Sequence, residues 1–411
     1  MSSQIFTNIS LIANARENTI IIRGKDLAHL PGVQNAYIVI EDDIIAEYGV
    51  MENFKYSATQ FTRVTNDCIV LPAWCDSHTH LVFSGSRENE FVDKIRGLSY
   101  TDIAAKGGGI LNSAKKLNAT SEDELFNTAW KRLEEIAKQG TGAVEIKSGY
   151  GLSLEGELKM LRVIKRLKEK SPLKIKSTFL GAHAFPPEYR ETHEEYIQLL
   201  INEMLPIIAK EKLADYIDVF CEKGFFSPVE MESICKAGKQ YGLKPKLHTN
   251  QLTSIGGIES GILLNAVSLD HLETLTREEI EILGQFSGCA TLLPTAAFFL
   301  RMPYQPARDL INAGAAVTLA SDFNPGSSPS GNMNFVISLS CIQMRMLPAE
   351  AVNAATVNGA FAMEIEKDYG SITVGKKANL IFTKPVPGLA YLPYSFGNNL
   401  IDKVMLNGSF I

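Results

Sequence analysis

The segment CDSHTHLVF, residues 75 to 83, places two histidines one residue apart at the end of an apolar run. Successive side chains of a β-strand point to opposite faces, so His78 and His80 would share one face and could bind one ion. A pair of this kind in a single strand is more often made of core or surface histidines than of metal ligands. The pair alone therefore leaves the question open, and the rest of the chain must decide.

Polar residues also appear at the carboxyl ends of other apolar runs. Five of the seven histidines lie at such ends, namely His78, His80, His183, His248 and His271, and Asp322 ends the run AVTLASD. Imidazole nitrogens with one carboxylate suit zinc or iron better than magnesium or calcium, which prefer oxygen ligands. We expect a single metal ion to be bound by four of these side chains, namely His78, His80, His248 and Asp322.

A site of this composition leaves room for a water molecule, and the metal would lower the pKa of that water towards neutrality. Hydrolysis is the reaction that such a site favours. Asp322, beside the water, is expected to accept its proton and to pass it to a leaving nitrogen. His271 is expected to hydrogen-bond the oxyanion or the attacking water.

The elements that must position these side chains form a repeating pattern. Short β-branched runs alternate with amphipathic helical stretches. Three pairs have the spacing of capping boxes, namely Ser121 with Glu124, Ser227 with Glu230, and Thr276 with Glu279. The expected strands are eight, namely CIVLPAWCDSHTH, GAVEIKS, IKSTFLGAH, DYIDVFCE, KPKLHTN, AVSLDHL, CATLLPT and AVTLASD. Continuous apolar runs separated by helices are typical of a parallel sheet that is buried on both faces.

Eight such units predict an α/β fold, a TIM-like (β/α)8 barrel, whose carboxyl rim would gather the polar residues. A doubly wound open sheet is the competing fold, but no glycine-rich phosphate fingerprint opens the first unit. Both chain ends are rich in alternating β patterns, including TIIIRG at residues 19 to 24. We therefore expect a small β-sandwich domain made from residues 1–67 and 369–411, beside a barrel formed by residues 68–368.

Composition narrows the class of protein. The chain has 411 residues, is 45% hydrophobic and 21% charged, and carries a formal net charge of −6. Its basic residues form no stripe, so we expect neither a nucleic acid nor a membrane as a partner. Without an apparent leader or spanning segment, a cytoplasmic location is expected. The six scattered cysteines predict reduced thiols and not a disulfide framework.

These motifs resemble the amidohydrolase superfamily and, within it, the imidazolonepropionase family of histidine degradation. The likeness runs nearly end to end and includes HTHLVFSGSRENEF, GGGIL, EIKSGYGL, GAHAFPPEY, HTNQL, DHLE, PTAAFFL and ASDFNPGSSPSGNM. It implies a barrel with a flanking β-sandwich, one divalent or trivalent ion of zinc or iron, and a homodimer. It further implies hydrolysis of a C–N ring bond of 4-imidazolone-5-propanoate to give N-formimidoyl-L-glutamate.

The resemblance also assigns roles to individual residues. It implies the same metal ligands, His78, His80, His248 and Asp322. Arg87 matches the family's substrate arginine, whose planar fork suits a propionate carboxylate. The positions that match residues around the imidazolone ring are Tyr100, Tyr150 and His183. Those in the loop that holds the glutamate end of the product are Asn324, Gly326 and Ser327.

Two positions qualify this interpretation. Some family members have an acidic residue where this chain has Gln251, and glutamine cannot take a proton, so we expect Gln251 to bind substrate. Asp322, helped by His271, would then serve as the base. Lys147 raises a second question, because some superfamily members bridge two metals with a carboxylated lysine. Since Lys147 lies in the EIKSGYG segment, we expect one metal.

Two other functions stay open. A purine or pyrimidine deaminase uses a similar rim but usually has an acid a few residues beyond the fifth-strand histidine, where this chain has Gln251. A metal-free binding scaffold would have lost its ligands, whereas all four are present here.

Overall fold

The computed structural model describes residues 3–56, 62–64, 67–98 and 108–411. Within these ranges the chain forms two sheets with helices around one of them. The strands, numbered in chain order, are β1 (Ser3–Ala13), β2 (Gly32–Glu41), β3 (Ile44–Val50), β4 (Thr62–Val64), β5 (Ile69–Pro72), β6 (Trp74–Thr79), β7 (Thr141–Lys147), β8 (Lys174–Ala182), β9 (Tyr216–Cys221), β10 (Lys244–Thr249), β11 (Ser268–His271), β12 (Cys289–Leu292), β13 (Val317–Leu319), β14 (Leu380–Thr383), β15 (Ile401–Leu406) and β16 (Ser409–Phe410).

The larger sheet confirms the predicted barrel. Strands β6 to β13 lie in sequential order and every neighbouring pair is parallel. The first and last strands meet just past their carboxyl ends, where the His80 N–H donates to the Phe323 carbonyl oxygen at 2.9 Å. A parallel bridge between Thr79 and Phe323 accompanies this bond. The sheet is therefore closed at the rim where the polar residues lie.

Helices occupy most of the connections between the barrel strands. The α-helices of the described ranges are Glu88–Ile95, Ile110–Ala119, Glu122–Lys138, Leu154–Lys170, His193–Leu199, Leu205–Glu211, Pro228–Gln240, Gly257–Leu263, Arg277–Gln285, Pro294–Leu300, Ala307–Ala313, Met333–Met344, Pro348–Ala355, Val357–Ala362 and Tyr391–Tyr394. Two of the three predicted capping boxes are complete, because Ser227 and Thr276 each exchange hydrogen bonds with the glutamate three residues later. At Ser121 only half of the box forms, since its side chain accepts from the Glu124 N–H without a reciprocal bond. The two complete boxes fix where two of the outer helices begin.

The smaller sheet combines both chain ends, as expected. Its strand order is β16-β15-β14-β5-β1-β2-β3, and β4 pairs with β1. The antiparallel pairing of β14 with β5 joins the carboxyl-terminal strands to the amino-terminal ones. Pairing between segments more than 300 residues apart therefore builds one sheet beside the barrel.

Three details of the strand prediction were wrong. The run from Cys68 to His80 is two strands. The Ala73 N–H donates to the carbonyl oxygen of Asn379, next to β14 of the small sheet, whereas the Trp74 N–H donates to that of Gly140, next to β7 of the barrel. Residues 19–24 form no strand, since the side chain of Asn358 bonds both the N–H and the carbonyl of Ile22. Strand β1 was not predicted.

Two further observations concern the described ranges as a whole. The six cysteines, all within these ranges, are thiols that form no disulfide with one another, as their scattered spacing predicted. Among the described helices, none combines the length and the apolar character that crossing a membrane would require.

Candidate metal and active site

His78, on β6, is held by a carboxylate from the opposite side of the barrel. Its Nδ1–H donates to Asp270 Oδ2 at 2.7 Å, and both side chains are fully buried. Its Nε2 has no hydrogen-bond partner among the described residues and lies 3.6 Å from Asp322 Oδ1. The ring is therefore turned so that one nitrogen lone pair faces Asp322.

His248, at the end of β10, has the same arrangement. Its Nδ1–H donates to Asp218 Oδ2 at 2.8 Å, and its backbone N–H donates to the other oxygen of Asp218 at 3.1 Å. Its Nε2 lies 3.3 Å from the Nε2 of His80, which is itself 3.6 Å from Asp322 Oδ1. Imidazole nitrogens from two strands thus converge on one carboxylate.

This donor set fits a metal ion. Since carboxylates accept from the Nδ1–H groups, the Nε2 atoms of His78 and His248 must be acceptors, and buried acceptors that face one another need a positive charge between them. Ligand atoms of His78, His80 and Asp322 lie within 4.8 Å of one another, as do those of His78, His248 and His271. The structure therefore gathers the four predicted ligands and His271 in one place.

The electrostatics of the site favour neutral imidazoles. Burial, followed by the charges of nearby histidines and Lys147, lowers the pKa of His78, His80 and His248 well below the ordinary value. Neutral imidazole is the form that binds metals. Burial raises the pKa of Asp322 to about 6. A bound cation would instead lower the pKa of Asp322, because it favours the ionised carboxylate.

The chain adopts uncommon backbone angles at this rim. Asp322 has φ of 53°, His271 has φ of 88° and Leu272 has φ of 65°, all in the left-handed region. Such conformations are costly for residues other than glycine and persist where surrounding contacts enforce them. The side-chain directions of Asp322 and His271 are thus imposed by the fold.

His271 is paired with a carboxylate of its own. Its Nδ1 lies 3.3 Å from Glu273 Oε1, which also accepts a hydrogen bond from Gln305 Nε2 at 2.9 Å. Burial alone would lower the pKa of His271, but the charge and the hydrogen bond of Glu273 raise it to about 9. His271 is therefore suited to donate a hydrogen bond towards the metal ligands.

Tyr150 and His183 line the same rim. The ring of His183 stacks on that of His80 with centroids 5.3 Å apart, and Tyr150 lies 5.5 Å from His183. His183 Nδ1–H donates to the Gly149 carbonyl at 3.0 Å, while burial lowers its pKa to about 4, so its Nε2 is an acceptor. A side chain on Gly149 would press on His183 at 2.9 Å.

A buried carboxylate holds the loop that carries Tyr150. Glu157 accepts hydrogen bonds from the N–H groups of Gly149, Gly151 and Leu152 at 3.0, 2.7 and 3.1 Å. Three donors on one carboxylate fix the path of the backbone on both sides of the tyrosine.

Arg87 lies at the mouth of the site. Its Nε–H donates to Ser113 Oγ at 2.9 Å, and its Nη2 is buried with no partner among the described residues. A Cβ at Gly326 would lie 2.4 Å from Arg87 Nη1, so a larger residue there would displace the guanidinium from the loop after β13. The structure thus brings together Arg87 and the predicted loop.

That loop is held by its own side chains. Asn324 Oδ1 accepts from the N–H groups of Gly326 and Ser327, both at 2.8 Å, and Ser327 Oγ donates to Asp322 Oδ2 at 3.0 Å. A ligand that bound to Asn324 or Ser327 would have to replace one of these hydrogen bonds. Gln251, nine-tenths buried, follows β10. Tyr100 lies outside the described residues.

Lys147 pairs with the carboxylates that hold two of the predicted metal ligands. Its Nζ is 2.8 Å from Glu145 Oε1, 2.8 Å from Asp218 Oδ2 and 3.6 Å from Asp270 Oδ2. Burial alone would lower the pKa of Lys147, but these three carboxylates together raise it above the ordinary value. An ammonium ion cannot carry a bridging carboxyl group, which supports the prediction of a single metal.

Sequence reasoning missed the residues that orient the predicted ones. Asp218 and Asp270 hold two of the histidines, and Ser113 holds Arg87. A signal for the two aspartates was present, since each is a carboxylate inside an apolar strand, in YIDVFC and SLDH. Ser113 sits in a helix of ordinary amphipathic composition, where nothing local distinguishes it.

Solved structures show the same fold. A triazine hydrolase variant superposes with a TM-score of 0.71 at 14% identity, covering 100% of this chain and 94% of its own. An adenosine deaminase from Xanthomonas campestris, solved with bound zinc, gives 0.69 at 15% identity, covering 100% and 92%. Identities this low show the common fold alone.

Sequence comparisons are more specific. The model of the amidohydrolase family matches residues 69–411. The imidazolonepropionases of Flavobacterium johnsoniae and Flavobacterium psychrophilum are each 55% identical over 408 residues, covering 99% of both chains. That of Clostridium tetani is 43% identical over 391 residues, covering 94% of this chain and 93% of its own. The chain therefore belongs to the amidohydrolase family and, within it, to the imidazolonepropionases.

Proposed function

We propose that the protein hydrolyses the C–N ring bond of 4-imidazolone-5-propanoate to N-formimidoyl-L-glutamate, using one bound metal ion. One observation carries the proposal: the convergent Nε2 atoms and Asp322 lie at the same rim as Arg87, whose Nη2 is buried without a partner in the described ranges. Positive charge for a carboxylate and a metal site for water activation are what this substrate requires.

The ligands that would hold the ion are His78, His80, His248 and Asp322. Three imidazoles and a carboxylate accommodate zinc or iron, so we propose either of these ions. When bound, the ion would supply Lewis acidity and lower the pKa of water towards neutrality.

The chain's own residues would manage the protons and the charge. Water adds to the ring carbonyl carbon, the bond from that carbon to the neighbouring ring nitrogen breaks, and the nitrogen takes up a proton. Asp322 would accept the proton of water and return it to the leaving nitrogen. His271, held by Glu273, would donate a hydrogen bond to the oxyanion.

The remaining residues would orient the substrate. Arg87 would bind the propionate group, with Asn324, Gly326 and Ser327 nearby. His183 Nε2 would accept from a ring N–H, and Tyr150, Tyr100 and Gln251 would complete the contacts. A homodimer and a cytoplasmic location belong to the same proposal. So does the division of the chain after residues 67 and 368, with β5, just beyond the first boundary, pairing in the small sheet.

The test is turnover of 4-imidazolone-5-propanoate by metal-replete protein, with detection of N-formimidoyl-L-glutamate. We expect activity that a chelator abolishes and that added Zn²⁺ or Fe²⁺ restores. Lack of turnover at full metal occupancy would reject the proposal. Guanine and cytosine serve as comparison substrates, and release of ammonia from either would point instead to a deaminase.

A further inference from the structure

A single ammonium group connects two of the metal-binding histidines. Lys147 Nζ lies 2.8 Å from Asp218 Oδ2, the oxygen that accepts from His248 Nδ1–H at 2.8 Å. It also lies 3.6 Å from Asp270 Oδ2, the oxygen that accepts from His78 Nδ1–H at 2.7 Å. A continuous series of contacts therefore joins the two imidazoles through Asp218, Lys147 and Asp270.

This arrangement lies in a fully buried layer of charge. The side chains of Lys147, Glu145, Asp218 and Asp270 are all 0% exposed. Without the ammonium, two carboxylates beneath the site would face each other with no countercharge between them. Buried like charges repel strongly, so Asp218 and Asp270 would move apart and no longer hold the two imidazoles in their present directions.

A second buried lysine provides a contrast. Lys246 Nζ lies 3.1 Å from Glu145 Oε2 and donates to the Ala362 carbonyl at 2.8 Å. It is also 0% exposed and contacts the same glutamate. Its ion pair and its hydrogen bond go to neither of the carboxylates that hold histidines, although its charge acts on Asp270 from a greater distance. Lys246 thus shares the burial and the charge of Lys147 but not its position.

We propose that Lys147 is a positioning residue of the metal site, which fixes the two carboxylates that orient His78 and His248. The inference rests on the proposed metal-dependent function and deepens it. Lys147 would touch neither the metal nor the substrate. Its effect reaches the ion through the direction of two imidazole rings, and loss of such outer contacts typically weakens metal binding about 10–100-fold.

The experiment compares metal affinity in matched full-length variants. Lys147→Met alone would leave three carboxylates undercompensated, so the test is the double variant K147M/E145Q, which removes one positive and one negative charge. E145Q alone is the first control, and K246M/E145Q, which removes the same two kinds of charge, is the second. Zn²⁺ affinity is measured by competition with a chelator, and the visible spectrum of the Co²⁺-loaded protein reports the ligand geometry.

We expect K147M/E145Q to bind Zn²⁺ about 10–100-fold more weakly than E145Q and to show an altered Co²⁺ spectrum. K246M/E145Q should lower thermal stability and bind Zn²⁺ about as tightly as E145Q. Equal affinity in K147M/E145Q and E145Q would overturn the inference, and so would an equal loss in K246M/E145Q. A wild-type protein that binds neither Zn²⁺ nor Fe²⁺ would instead refute the metal-dependent function itself.

Discussion

The backbone N–H of Asp322 donates to the carbonyl oxygen of His78 at 3.0 Å. This bond joins the end of the last barrel strand to the end of the first. Both residues also supply side chains to the candidate metal site, where His78 Nε2 lies 3.6 Å from Asp322 Oδ1. The contacts that close the barrel therefore also bring the side chains of His78 and Asp322 together at the candidate site.

The two polar residues closest to the reaction should differ in their effect on metal binding. We expect Asp322→Asn to lose both the ion and the turnover, because it removes a ligand and the proposed base. We expect His271→Ala to keep the ion and to lose turnover by about 10²-fold or more, the usual cost of one oxyanion donor. Metal analysis and kcat on the same preparations check this. Normal turnover by His271→Ala would show that its proposed role is wrong.

Ser113 should tune substrate binding through Arg87. Ser113→Ala removes the hydroxyl that accepts from Arg87 Nε, so we expect KM to rise roughly 10-fold with little change in kcat, since bonds to charged groups are worth about 1.5–3 kcal/mol. Steady-state kinetics on 4-imidazolone-5-propanoate measure both constants. Ser121→Ala removes a helix cap elsewhere and should leave KM unaltered. A drop in kcat alone would contradict the assignment.

Glu157 should stabilise the loop of Tyr150. Glu157→Gln replaces one acceptor oxygen by an NH₂ group that would face a backbone N–H, so we expect the free energy of unfolding to fall by about 1–3 kcal/mol. Urea denaturation measures the loss. Glu155→Gln, an exposed position on the same helix, is the matched control and should change stability little. Equal stabilities of the two variants would count against this role.

Lys376 should make stability depend on pH in the alkaline range. It is buried and donates to the Tyr369 carbonyl at 3.0 Å, and burial lowers its pKa to about 8. Between about pH 8 and the ordinary value of 10.5, the unfolded chain holds a proton that the folded chain lacks. The contribution of Lys376 to stability should therefore rise with pH by about 1.4 kcal/mol per pH unit in that window, and fall as the pH drops towards 8.

Urea denaturation of the wild type and of Lys376→Met at several pH values from 8 to 10.5 isolates this contribution. The difference between the two free energies of unfolding should move in favour of the wild type as the pH rises. A difference that stays constant over the range would show that Lys376 does not titrate there.

The sequence alone was sufficient to predict the barrel and to name residues that the structure brings together at its rim. Apolar runs with polar carboxyl ends predicted the barrel, because burial on both faces of a parallel sheet requires them. The structure gathers His78, His80, His248 and Asp322, as that interpretation required. Capping boxes predicted where two helices begin, since their hydrogen bonds join residues only three positions apart.

The tertiary structure decided what depends on distant partners. Asp218 and Asp270 turn two histidines towards Asp322, and Lys147 lies between the two carboxylates. The local sequence pattern does not predict which strand lies opposite which across a closed barrel. Likewise, the run from Cys68 to His80 is divided into two strands because successive N–H groups bond to different sheets, which the sequence does not show. Periodicity reports which face of a strand is buried, whereas the partner of a buried polar group is chosen by three-dimensional packing.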